Sequence, residues 1–171
     1  IKDLESKLKT KKKPKLVIPV HLAGYPSKIK KIFNLSKKYN FKILEDASHA
    51  FGSKYINTKI GSCKYSDIAV FSFHPVKIFT SGEGGVLVTN NESYYRKAIM
   101  LRNHGITREK NQFFLKNKNR IYYEQQLLGF NYRLSDLHAS LGLSQLRRIE
   151  NFYKKRLRIK KRYDKAFYRL P

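Results

Sequence analysis

Five polar residues fall where short apolar runs end: Asp46 and His49 after the run led by Ile43 and Leu44, and Ser72, His74 and Lys77 at the end of residues 67–73. A lysine amine can hold a carbonyl cofactor as an imine and then shuttle a proton once a substrate amine has displaced it. A carboxylate such as Asp46 can face a protonated ring nitrogen, which makes that ring the better electron sink. The Ser72 hydroxyl, five residues before the lysine, can anchor a phosphate. These are the requirements of pyridoxal-phosphate (PLP) chemistry. Singly, each residue has an ordinary explanation: one lysine among 37 Lys and Arg is usually a solvated surface group, and an aspartate after a strand usually serves a turn.

To act together these residues need strand ends that converge, because ligands of open α/β sheets bind beyond the carboxyl ends of the strands. Residues 16–20 and 43–46 read as buried strands. Between them Ile29, Ile32, Phe33 and Leu35 recur at helical spacing, with Pro26-Ser27 as a start signal. Strand, helix, strand is a βαβ unit and predicts a parallel pair. A third strand fits residues 67–73 and a fourth 86–89, joined by a glycine-rich connection that carries Lys77 and Gly82-Glu83-Gly84-Gly85. Residues 92–102 read as a helix and 107–128 as an irregular excursion. From Ser135, placed to cap, and Asp136, favourable in a first turn, Leu137, Leu141, Leu143, Leu146 and Ile149 follow helical spacing. That helix is expected to run on, with Leu157, Tyr163, Phe167 and Leu170 along one side.

The chain has 171 residues and a formal charge of +25, a balance that raises nucleic acid or an anionic membrane as partners. The cations are mostly lysines spread along helical stretches, without a finger, recognition-helix or aromatic RNA-binding pattern, so solvated faces are the expectation and neither nucleic acid nor membrane is a partner. The one low-complexity tract is Lys11-Lys12-Lys13. A single cysteine, Cys63, makes no internal disulfide and no metal cluster, as suits a reducing cytoplasm. No stretch reaches the roughly 20 apolar residues of a membrane span. Starting at Ile1 and stopping at Pro171 after a helical pattern, the chain reads as a piece of something longer.

The string Glu45-Asp46-Ala47-Ser48-His49-Ala50, then Phe71-Ser72-Phe73-His74-Pro75-Val76-Lys77, then Gly82-Glu83-Gly84-Gly85, resembles the DegT/DnrJ/EryC1/StrS family of sugar aminotransferases in order and interval. Arg102-Asn103-His104-Gly105-Ile106 and Gly129-Phe130-Asn131-Tyr132-Arg133-Leu134-Ser135-Asp136 resemble its later motifs, so the likeness covers most of residues 16–150. It implies an α/β fold of the aspartate-aminotransferase type (fold type I), a PLP-dependent transferase large domain with a mostly parallel sheet flanked by helices. Residues 1–150 would be part of that PLP-binding domain and 151–171 a helix leading toward a C-terminal small domain absent from this fragment. Lys77 then takes the Schiff-base position, Asp46 partners the pyridine nitrogen, His49 packs on the cofactor ring and Ser72 binds its phosphate. Asn131 matches an asparagine that reaches the cofactor or substrate across a homodimer with shared active sites.

His74 either contacts substrate or shapes its turn, and Arg133 either binds a nucleotide diphosphate or pairs with Asp136. His104 and His138 are expected to be structural, and the glycines at 82, 84 and 85 to give backbone freedom and close packing beside Lys77. A lysine at position 77 goes with the amine-transferring branch rather than the one that carries histidine there. Val20-His21-Leu22-Ala23-Gly24 and residues 127–146 are most similar to the branch that aminates C4 of a UDP-4-keto-6-deoxy-N-acetyl-hexosamine on the way to pseudaminic acid, with glutamate as donor. The competing expectations are a non-catalytic relative that binds a nucleotide sugar, an inactive fragment, and a basic nucleic-acid-binding module whose association with phosphate would be salt-sensitive.

Overall fold

The computed structural model describes residues 1–10, 13–116, 119 and 121–170. Most of the lysine tract at 11–13 and part of the expected excursion at 107–128 therefore lie outside the described residues. The chain opens with helix α1 (Lys2–Leu8), which no periodicity announced. Its Leu8 is fully buried, and with Leu4 packed against the same cluster it ties the segment to the core.

The expected βαβ unit is present. Strand β1 (Leu16–Val17) runs parallel to β2 (Lys42–Asp46), and α2 (Ile29–Tyr39) connects them. Strand β1 is shorter than predicted because Pro19 has no N–H to give, although its carbonyl still accepts from Asp46 N and Val20 bridges Asp46. Ile29, Ile32 and Leu35 of α2 are buried with Phe41 and Ile43, the apolar stripe that an amphipathic helix lays on a sheet. Ser27 does not cap this helix through its side chain: its hydroxyl is buried without a hydrogen bond, and its N–H is used elsewhere.

A small hairpin, β3 (Lys54–Tyr55) with β4 (Thr58–Lys59), leads to β5 (Ile68–Ser72), which is parallel to β2. Strand β6 (Gly85–Val88) lies antiparallel on β5, so the sheet order is β1-β2-β5-β6 with two parallel pairings and one antiparallel. A second core forms under the far end of this sheet from Ala47, Ala50, Ile60 and Phe71.

Helix α3 (Glu92–Arg102) matches its predicted range, capped by the Asn91 side chain accepting from Tyr94 N. The excursion is mostly irregular but holds one pairing, β7 (Ile106–Thr107) antiparallel to β8 (Glu124–Gln125). Ser135 caps α4 (Asp136–Leu146) by accepting from His138 N. The long helix expected from there is broken: at Arg147 and Arg148 the chain turns, with Arg148 N donating to Gln145 O, before α5 (Ile149–Phe167) begins. None of the described helices is long and apolar enough to cross a membrane.

Candidate active site

Asp46 is the last residue of β2, and both its backbone groups are held: its N–H donates to Pro19 O and its carbonyl accepts from His21 N, each at 3.0 Å. The side chain turns back to accept from Ser48 N at 3.1 Å. Hydrogen bonding from the Ser48 side chain and then its N–H holds this carboxyl below the ordinary aspartate range against the opposing effect of burial, and His49 and Lys77 add favourable electrostatic contributions. His49 and Lys77 are therefore near enough to Asp46 to act on its charge.

Ser72, His74 and Lys77 share one turn. His74 N donates to Ser72 Oγ at 3.3 Å and Lys77 N to His74 O at 3.0 Å. His74 Nδ1 accepts from Val76 N at 3.3 Å, and its Nε2 lies 4.0 Å from a carboxylate oxygen of Glu83. Those contacts favour the turn-shaping role. The loop is closed below Lys77 by Phe73, whose N–H donates to Gly84 O and whose carbonyl accepts from Ser81 N and Thr80 Oγ1. Phe79 packs under it, 4.6 Å from Phe51 and 4.7 Å from Phe73 between ring centres. Contacts of this kind add about 0.5–1.5 kcal/mol each beyond simple burial. Gly84 has φ +140°, and a Cβ on Gly85 would lie 2.7 Å from Phe71 O, so these glycines serve conformation and close approach as expected.

Asn131 and Arg133 form a separate group. Asn131 bridges Asn103, and Arg133 donates to Asn103 Oδ1 at 2.6 Å rather than pairing with Asp136. The reason is the Asn131–Asn103 bridge, which sets Arg133 beside Asn103. Arg133 and Arg108 line a cavity of about 580 Å³ with His104 and Tyr123; two guanidinium groups in one concavity suit an anion. Arg108 escaped the sequence analysis because it carries no motif. A second cavity, about 340 Å³, lies between the Lys77 turn and α4–α5 and is lined by Lys77, Phe79, Gln145, Phe152, Lys155 and Arg156. Asp46, His49 and Ser72 do not line it. His138 stays structural, with Nδ1 2.8 Å from Ser135 Oγ.

The model of the DegT/DnrJ/EryC1/StrS aminotransferase family matches residues 2–171. The chain belongs to this family. A Campylobacter jejuni relative named UDP-4-amino-4,6-dideoxy-N-acetyl-beta-L-altrosamine transaminase is 41% identical over 153 residues, 89% of this chain and 38% of the relative. Helicobacter pylori PseC, an aminotransferase involved in the biosynthesis of pseudoaminic acid, superposes with a TM-score of 0.84 at 32% identity over 96% of this chain and 42% of its own. A Streptococcus pneumoniae protein in its PLP-form matches with a TM-score of 0.79 at 29% identity, over 98% of this chain and 45% of its own. The chain therefore spans about two fifths of the length of the relatives it matches, and its α/β fold is that of PLP-dependent aminotransferases.

The cofactor of this family is pyridoxal 5'-phosphate, and the residues present fit it. Asp46 is held ionised, as a partner for a cationic ring nitrogen must be. Lys77 is partly buried on a turn pinned by backbone hydrogen bonds, and the Ser72 hydroxyl stands at the head of the same turn.

Proposed function

We propose that the chain is the middle of an enzyme that moves the amino group of glutamate to the C4 keto carbon of a UDP-linked 4-keto-6-deoxy sugar, for surface glycan or pseudaminic acid biosynthesis. The observation that carries this reading is that Asp46 ends β2 and Ser72 ends its parallel neighbour β5, so that the turn carrying Lys77 leaves the sheet at the same end as an ionised Asp46. The sugar is argued from the 41% identity to the Campylobacter jejuni transaminase.

When bound, pyridoxal phosphate supplies the electron sink that stores the amino group between the two halves of the reaction. Lys77 Nζ would hold the cofactor and, when free, would take the proton from the α-carbon of glutamate and later give a proton to C4 of the sugar. Asp46 would keep the ring nitrogen cationic, His49 would lie against the ring, and Ser72 would donate to the phosphate. Arg133 is assigned to the substrate side, on the diphosphate, and His74 to shaping the turn that carries Lys77. Glutamate leaves as 2-oxoglutarate, and the C4 oxygen leaves as water.

A homodimer belongs to the proposal, with Asn131 serving the neighbouring subunit's cofactor; its exposed position supports this. The large-domain assignment of residues 1–150, with 151–171 leading to a small domain, belongs to it too, as does a cytoplasmic location, supported by the free thiol of Cys63. The test is borohydride reduction of the full-length protein with pyridoxal phosphate, followed by mass mapping. A cofactor-sized mass on Lys77, absent in Lys77→Ala, is expected. An unlabelled but folded protein sinks the enzyme reading and favours a non-catalytic sugar-binding relative.

A further inference from the structure

His21 is fully buried, yet none of the roles above uses it. Both ring nitrogens are engaged. Nδ1 accepts from Ser27 N at 3.0 Å, and Nε2 lies 2.8 Å from Glu45 Oε2. An amide N–H can only donate, so Nδ1 is the bare nitrogen and the proton sits on Nε2, donated to Glu45. Glu45 is 3% exposed and its other oxygen accepts from the Ser66 hydroxyl. Both ring nitrogens of His21 and both carboxylate oxygens of Glu45 have partners, and buried polar groups satisfied in this way rigidify a structure.

What this network holds is the segment from 21 to 27. At one end His21 N donates to Asp46 O; at the other its ring grips Ser27 N, just before α2. Between these anchors the chain makes a tight turn, with Ala23 at φ +52° and Gly24 at φ +80°. A non-glycine residue rarely takes such a conformation, and it persists where the surroundings enforce it. Its outcome is visible: Ala23 N–H points at His49 Nδ1, 3.3 Å away, while Gly24 O accepts from Ser53 Oγ at 2.8 Å. A Cβ on Gly24 would lie 2.9 Å from His49 O, so the turn sits directly on the residue it orients.

We infer that the buried His21–Glu45 pair is a positioning device for His49: it clamps residues 21–27 so that Ala23 N–H fixes the His49 ring with its proton on Nε2. The inference rests on the proposed role of His49 against the cofactor ring. A ring whose Nδ1 is occupied in this way cannot rotate freely, and a fixed face is what stacking on a cofactor requires. His21 touches neither cofactor nor substrate in this account.

The test is 15N-histidine NMR of the full-length protein at neutral pH without cofactor, with His49 assigned by loss of its signal in His49→Gln. A single His49 state protonated on Nε2 is expected. In His21→Phe the ring should become a tautomer mixture and pyridoxal-phosphate affinity should fall by roughly tenfold, the scale on which supporting partners tune a site. Glu45→Gln, which keeps an acceptor for His21, should preserve both. A His49 proton on Nδ1, or a folded His21→Phe with an unaltered His49 spectrum, overturns the inference. Amide exchange in the wild type decides the matter even if the variant does not fold. Equal protection of Ala23 and Ser27 supports one clamped unit, and unprotected Ala23 refutes it. Because the NMR and exchange readouts need no cofactor, their failure is separable from a failure to label Lys77.

Discussion

Asp46 answers two demands at once: its backbone completes the sheet against residues 19–21, while its carboxylate stays ionised through Ser48. The substitution Asp46→Asn keeps the shape and removes the charge. We expect it to retain the borohydride label on Lys77 while turnover drops about a hundredfold or more, the scale of losing one preorganised electrostatic contact. Full turnover in that variant would remove Asp46 from the mechanism. At this scale the positions of Lys77, Asp46 and Ser72 were legible: Asp46 and Ser72 end β2 and β5, and Lys77 lies on the turn that follows β5. His21 was not, since its importance lies in contacts to Glu45 and Ser27 that no spacing encodes. Arg133 was half legible: the guanidinium was noticed, but its partner is Asn103, 30 residues away in sequence.

Elements carry the next level of cause. Ser72 pairs in register with Gly85 across β5 and β6, and a Cβ at 85 would meet Phe71 O. Gly85→Ala therefore forces the strands apart at the end that holds Ser72. It should cost about 1–3 kcal/mol, as overpacking does, seen as a lowered melting temperature together with weaker cofactor retention; an unchanged melt would show that β6 gives way freely. The excursion before β8 is pinned by Glu124, which accepts from Phe114 N at 2.6 Å and Leu115 N at 3.0 Å. Burial pushes the Glu124 carboxyl up, but the N–H groups of Leu115 and Phe114, with Gln126 and Tyr122, outweigh it and leave it below the usual range. A lowered folded value means that the anchor is complete above the unfolded value of about 4.3 and is lost as pH falls through the folded one. Amide exchange at Phe114 and Leu115 should accordingly quicken below that range relative to the core strands; constant relative protection would show that Glu124 does not hold the loop. The four strands of the main sheet and α2 through α4 were readable from the sequence, but the two-residue strands of the β3–β4 and β7–β8 pairs were too short to show a period. The break at Arg147 and Arg148 was not, because the apolar spacing continues through it to Ile149.

Across the whole molecule, α4 is a helix with leucines and no covering layer: Leu137 is 83% exposed and Leu143 52%. A helix apolar on more than one side belongs in an interior, and both remaining chain and a second copy could supply one. The 171-residue chain expressed alone should self-associate, and Leu137→Lys should reduce this in sedimentation; a monomeric parent chain would show that the surface tolerates water as it stands. Its formal charge of +25 opposes such association through self-repulsion, most strongly at low salt. The antiparallel return of β6 onto β5 also bears on the order of folding. Because Phe73 closes onto Gly84, the loop that carries Lys77 joins residues close in sequence and forfeits little chain entropy. The Asp46 pairing with residues 19–21 must first bridge the whole of α2. The Lys77 turn thus closes early and locally, and Asp46 arrives later, with the slower long-range pairing of the parallel strands.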